Sequence, residues 1–330
     1  MTLKKLLPLL LIFFVLLGCD PMAPQPTPGV IIITNVPTRT PVPTPTVPTA
    51  TPTIAPTRTP FVTATPTLFP CAEEGGQVIR FDRNASQVVD ENLRYRVYIP
   101  PCYVESQKRY PYVILLHGQA STESQWEDLG AVATLDQGIR LGALPPMILV
   151  MPFWGVVGNE NAFPPDPSYE TVVLDELLPS IQRDFCTWND REHRAIGGIS
   201  RGGFWAFSIG LRHPDVFGII GGHSAVFPDD PQVVPPAFSP LDMARDSALL
   251  PDADLRIYMD NGASDLAGES QQLLSSRLAA RGITHTYIIN TIGGHDNDYW
   301  SAHVSEYLAF YGRDWPRNAA ELPSCLEPSP

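Results

Sequence analysis

Arg194-Ala195-Ile196-Gly197-Gly198-Ile199-Ser200-Arg201-Gly202-Gly203-Phe204 decides how this chain is read. A short apolar run closes in Gly198-x-Ser200-x-Gly202, and Phe204, Phe207 and Leu211 follow at helical spacing. The pattern is strand, tight turn, helix. Glycines on both sides of the serine allow a sharp turn where larger residues would clash. The serine hydroxyl is then held clear of the backbone at a helix N-terminus. Free N–H groups and a partial positive charge there face any adjacent anion.

Working outward, strands are expected over 77–81, 93–99, 112–116, 147–151, 193–199, 216–221, 255–259 and 286–290. Residues 112–116 and 147–151 are continuous apolar runs, as in strands buried on both faces. Helices are expected over 132–141, 169–184, 269–281 and 300–311, besides the one after Ser200. Alternation of this kind predicts an α/β fold: a mostly parallel sheet of about eight strands with helices on both faces. His117-Gly118, Ser200, Asp265 and His295 all follow the C-terminal ends of strands. In an open parallel sheet those ends share one edge, where ligands bind.

Ser200 is the candidate nucleophile, and a hydroxyl needs a base to take its proton as it attacks. His295 is the expected base, because it follows the last strand and two glycines and lies C-terminal to both serine and acid. His223 also follows a strand at the right edge and is the alternative, with a substrate-side or packing role favoured for it. His193 precedes its strand, His213 and His285 read as surface or structural, and His303 lies on the final helix. The base needs an acid to fix its tautomer. Asp265, beyond the turn 261–264, is favoured over Asp260, which is expected to cap that turn. The order Ser…Asp…His is that of hydrolases with this turn. Oxyanion donors are expected from the backbone of Arg201 and of Gln119. No metal-ligand spacing, phosphate loop or dinucleotide fingerprint occurs, so no metal and no cofactor is expected.

The chain has 330 residues, of which the last 260 or so look globular and suit one large α/β domain. A net charge of −13 argues against nucleic acid or an anionic membrane surface as partner. Lys4-Lys5, an apolar run from Leu6 to Leu17 and Leu16-Leu17-Gly18-Cys19 have the shape of a lipoprotein signal over 1–19. Cleavage before Cys19 and its lipidation would anchor an exported protein on the outer side of a bacterial membrane, at the surface or in the periplasm. Residues 20–70 are rich in Pro and Thr and read as a disordered, extended linker, with residues 71–330 as the folded domain. Val30-Ile31-Ile32-Ile33 interrupts that linker without an evident reason. Cys71, Cys102, Cys186 and Cys325 are an even number in an exported chain, so two disulfides are expected away from the Ser200 edge. Of three pairings, Cys102–Cys186 with Cys71–Cys325 is favoured.

His117-Gly118, the run 190–196, Gly198-Ile199-Ser200-Arg201-Gly202-Gly203 and Gly293-Gly294-His295-Asp296 with Trp300 resemble the esterase D family of α/β-hydrolases. Within it the likeness is to feruloyl esterase and acetylxylan esterase domains of carbohydrate esterases. The resemblance runs from about Arg94 to Tyr311. It implies the α/β-hydrolase fold, a triad on Ser200, Asp265 and His295, and hydrolysis of acyl or feruloyl esters on extracellular carbohydrate through an acyl-enzyme. Two departures stand out: Arg201 where many relatives carry Met, and Gln119-Ala120-Ser121-Thr122 where that loop is often glycine-rich. Phe153, Trp154, Phe163, Phe227 and Phe238 are read either as a stacking surface for a feruloyl ring or as lid and core packing. Two other functions stay open at this point. One is acyl transfer of the mycolyltransferase or enterochelin-esterase-like kind with the same triad; the other is an inactive scaffold serving as a surface binding module.

Overall fold

The apolar runs become the middle of a single sheet. The computed structural model describes residues 31–34 and 71–327. Its strands are β1 Ile31–Thr34, β2 Gln77–Ala85, β3 Asn92–Ile99, β4 Tyr112–Leu116, β5 Ile148–Pro152, β6 Arg194–Ile199, β7 Ile219–His223, β8 Arg256–Gly262 and β9 Thr286–Asn290. They lie in the order β1-β9-β8-β7-β6-β4-β5-β3-β2. From β5 through β4, β6, β7 and β8 to β9 every pairing is parallel. The antiparallel strands β3, β2 and β1 are added outside this block.

Alternate side chains of β4 feed two cores. Tyr112, Ile114 and Leu116 pack with Phe204 and Phe207 of the helix Arg201–Arg212. Val113 and Leu115 pack on the other face with Leu135 of the helix Ala131–Arg140 and with Tyr307 and Tyr311 of the helix Asn297–Tyr311. Each fully buried side chain of this size stabilises by about 1.5–3 kcal/mol. Parallel strands must be joined by crossovers, and the helices supply them on both faces. The strand ends Leu116, Ile199, His223, Gly262 and Asn290 therefore share one edge.

Eight strands lie within residues 77–290, as expected, but β7 and the linker patch differ from the sequence reading. β7 starts at Ile219 rather than at residue 216. Val216 and Phe217 instead close a turn after the preceding helix, both donating their N–H groups to the His213 carbonyl. The apolar patch inside the expected linker forms a ninth strand: β1 pairs antiparallel with β9, Ile31 opposite Ile289 and Thr34 opposite Thr286. The rest of the linker and the signal segment with Cys19 lie outside the described residues.

The cysteine pairing also needs correction. Cys186 bonds Cys325, with Cα atoms 5.7 Å apart, so neither Cys102–Cys186 nor Cys71–Cys325 forms. The C-terminal tail runs back past the start of β4, where Cys325 N–H donates to the Gln107 carbonyl at 2.7 Å. Tyr110 N–H donates to the Cys186 carbonyl at 2.8 Å, which brings the two cysteines together. The bridge lies at the sheet edge opposite Ser200. Cys102 is itself disulfide-bonded. Among the described residues, no helix is long and apolar enough to cross a membrane.

Candidate active site

Ser200 occupies the turn between β6 and its helix with φ 54° and ψ −116°, a conformation that side chains other than glycine rarely adopt. The flanking glycines make it feasible. A Cβ on Gly198 would stand 2.3 Å from the Gly202 carbonyl carbon, and one on Gly202 2.5 Å from the carbonyl oxygens of Leu116 and His117. The turn is held by Ser200 N–H donating to the His223 carbonyl at 3.0 Å and Phe204 N–H donating to the Ser200 carbonyl at 3.1 Å.

The structure brings Ser200, His295 and Asp265 into one hydrogen-bonded chain. Ser200 Oγ lies 2.8 Å from His295 Nε2. His295 Nδ1 lies 2.8 Å from Asp265 Oδ1. An ionised carboxylate only accepts, so Nδ1 carries the proton and Nε2 is left to accept from the serine hydroxyl. The Asp265 side chain is buried while His295 keeps a fifth of its side chain in solvent. Burial pushes the Asp265 carboxyl up, but hydrogen bonds from His295, Ser224 and the Ala267 N–H outweigh it and hold it below the usual carboxylate range. Ser224 in turn accepts from Trp300 Nε1 at 2.8 Å. The Trp300 ring meets the His295 imidazole edge-to-face with centroids 5.2 Å apart, which bears on the plane of that ring.

The strained serine turn and its relay lie inside a recognisable stretch: residues 86–311 match the Esterase family, described as "Putative esterase". The chain belongs to the Esterase family. This Esterase-family chain is 35% identical over 137 residues to an endo-1,4-beta-xylanase/feruloyl esterase of Xylanibacter ruminicola, a match covering 38% of this chain and 18% of that one. It is 27% identical over 229 residues to an iron(III) enterobactin esterase of Dickeya dadantii, covering 65% and 50%. A solved ferulic acid esterase superposes with a TM-score of 0.65 at 28% identity, over 72% of this chain and 98% of that one. Its sheet and helices are thus those of an α/β-hydrolase. The chain spans between 18% and 50% of the length of the curated relatives it matches.

The other sequence candidates fall elsewhere. His223 is fully buried: Nδ1 donates to Asp260 Oδ1 at 2.8 Å, and Nε2 pairs with the Tyr311 hydroxyl at 2.8 Å. Asp260 does not cap the turn. Its second oxygen accepts from the Tyr299 hydroxyl at 2.6 Å and the Tyr307 hydroxyl at 2.9 Å. Arg201 begins the nucleophile helix, so its N–H has no intrahelical partner. Its guanidinium donates to the Gly158 carbonyl at 3.2 Å and the Glu160 carbonyl at 2.8 Å, lying over the rings of Phe204 and Trp205. Burial pushes its pKa down to about 10. The Arg201 side chain thus braces the loop after β5.

The five loop aromatics resolve toward packing. Trp154, Phe163 and Phe227 are buried. Phe153 is half-buried, with Arg94 4.0 Å above its ring and His117 stacked parallel at 5.5 Å. Phe238 lies under Arg212 at 4.0 Å and stacks on Phe163 at 4.6 Å. Among the described residues, no group of three or more His, Cys, Asp or Glu stands close enough to hold a metal ion.

Sequence reading missed Gln125, Ser224 and the brace role of Trp300. Gln125 Oε1 accepts from the Gly118 N–H at 2.7 Å, although the residue carries no motif. Ser224 could have been found as the residue following a strand at the catalytic edge.

Proposed function

We propose that this protein is a serine carboxylesterase. The single observation that carries this reading is the Ser200–His295–Asp265 chain of two 2.8 Å hydrogen bonds at the strand-end edge. Ser200 Oγ attacks the ester carbonyl carbon as its proton passes to His295 Nε2. The carbonyl oxygen becomes an oxyanion, met by the N–H groups of Arg201 and Gln119. Asp265 holds the imidazole in place and stabilises its charged form. The imidazolium then protonates the leaving alcohol oxygen and the acyl-enzyme remains. Water, deprotonated by His295, releases the acid and restores the serine proton. Oxyanion donors of this kind are each worth about 3–4 kcal/mol of barrier lowering.

The substrate in this reading is an acyl or feruloyl ester on extracellular carbohydrate. The likeness to proteins named feruloyl and ferulic acid esterases supports it. An exported, lipid-anchored placement through Cys19 accords with such a polymer substrate. Fluorophosphonate should label the wild type and spare Ser200→Ala; an unlabelled wild type refutes the reading. Hydrolysis of p-nitrophenyl acetate, p-nitrophenyl butyrate and methyl ferulate then ranks the acyl group. Palmitate labelling in a bacterial host, abolished by Cys19→Ala, tests the anchor.

A further inference from the structure

The oxyanion donor expected at Gln119 depends on one peptide plane, and the structure shows what holds that plane. In a trans peptide the C=O and the following N–H point in opposite directions. The Gly118 carbonyl is bound from one side by His117 Nδ1 at 2.8 Å and Ser121 N–H at 3.0 Å. The Gln119 N–H of the same peptide must point the other way, and it has no partner among the described residues. The preceding N–H, that of Gly118, is occupied by Gln125 Oε1 at 2.7 Å. It is therefore unavailable to substrate, and Gln119 N–H is left as the donor in this loop.

Gln125 does more than occupy a donor. A side-chain amide that turns its oxygen to an N–H turns its NH2 outward. Gln125 Nε2 donates to Asn297 Oδ1 at 3.1 Å. Asn297 opens the C-terminal helix, two residues after His295, and Asp296 caps that helix by accepting the Tyr299 N–H at 2.9 Å. Gln125 is itself 5% exposed and sits in a short helix, Gln125–Asp128. The next residue pins that helix, as Trp126 Nε1 donates to the Leu116 carbonyl at 3.1 Å. One buried amide thus ties the oxyanion loop to the loop that carries the base.

We propose that Gln125 is a positioning residue that sets the Gly118–Gln119 peptide against the His295 loop, so that the oxyanion donor and the base keep a fixed spacing. The proposal rests on the esterase reading above. A group acting this way changes the transition state more than substrate binding. Leucine at 125 removes both hydrogen bonds at similar volume. Glutamate keeps the acceptor for Gly118 N–H, and a flipped Asn297 amide can donate to its second oxygen.

The test is p-nitrophenyl acetate turnover by wild type, Ser200→Ala, Gln125→Leu, Gln125→Glu and Asn297→Ala, with inhibition by phenylboronic acid, whose negatively charged tetrahedral serine adduct puts a boron-bound oxygen in the oxyanion site. Gln125→Leu should lower kcat by about 10–100-fold, part of what losing a whole donor costs, with KM within about twofold. The boronic acid should lose affinity in parallel. Gln125→Glu should recover most of kcat, and Asn297→Ala should lose about threefold by freeing one end of the tie. A folded Gln125→Leu protein with wild-type kcat and boronate affinity overturns the proposal. Should Gln125→Leu fail to fold, Asn297→Ala at wild-type kcat with unchanged boronate affinity overturns it instead. Loss of the esterase reading looks different, as wild-type turnover that survives in Ser200→Ala.

Discussion

His295–Asp265 and His223–Asp260 are built alike: each places Nδ1 2.8 Å from a carboxylate oxygen at the same sheet edge. They differ in what the far imidazole nitrogen meets. For His295 it is the Ser200 hydroxyl, with a fifth of the side chain in solvent. For His223 it is the Tyr311 hydroxyl, with nothing exposed. Asp260 also accepts two tyrosine hydroxyls, and its carbonyl accepts from Ser224 N–H at 2.8 Å and Gln271 Nε2 at 3.0 Å. A His–Asp pair is thus not a reactive unit by itself. A serine hydroxyl in a strained turn and an opening to solvent set one pair apart; enclosure makes the other a hub that ties β7, β8 and the C-terminal helix together.

The comparison breaks most visibly in rate. His295→Ala should lower kcat/KM by about 10⁴–10⁶-fold and leave the urea midpoint almost unmoved. Asp265→Asn should lower kcat by about 10⁴-fold, because the amide favours the wrong imidazole tautomer. The buried pair should behave in reverse. His223→Ala or Asp260→Asn should cost about 3–5 kcal/mol in urea unfolding, with kcat per folded molecule within a few-fold of wild type. If His223→Ala instead costs rate without stability, the two pairs are not separate in role.

A third histidine sharpens the contrast, since it has no carboxylate partner. Burial between Phe153 and Trp154 pushes His117 down to about 4. Unfolded, it titrates near 6.5, so between those values the unfolded chain binds more protons. Stability should therefore fall as pH drops from 6.5 to 4, by about 3 kcal/mol at most from this group. His117→Phe should flatten that part of a pH series of urea midpoints. The Asp265 carboxyl, held low, adds a further loss at still lower pH. The smallest expected effect is Tyr299→Phe, which removes one of two tyrosine donors to Asp260 and should cost about 1 kcal/mol.

Much of this arrangement is legible in the residues alone. Gly198-x-Ser200-x-Gly202 after an apolar run specifies both the crossover and the turn, because only glycines fit where β6 and its helix touch. His295 follows the last strand, so the sheet alone delivers it to the edge. What escapes the sequence is whatever depends on a path through space. Gln125 reaches a backbone N–H seven residues earlier, and no periodicity marks such a contact. Cys325 meets Cys186 because the tail doubles back along residues 107–110, a route no local preference encodes. The role of the loop aromatics also turned on their neighbours: Arg94 and Arg212 lie over rings that composition alone leaves open to a ligand.

β1 carries a consequence for the outer margin of the sheet. A bare β9 would present a row of unpaired N–H and C=O groups, a template on which a second molecule can zip itself. Ile31–Thr34 fills that row from within the same chain. Because it runs opposite to β9, Ile31 stands at the end from which the polypeptide continues to His295, and Thr34 at the far end. The two ends of β1 thus face opposite edges of the sheet, and β2, which begins at Gln77, lies at the other margin, eight strands away.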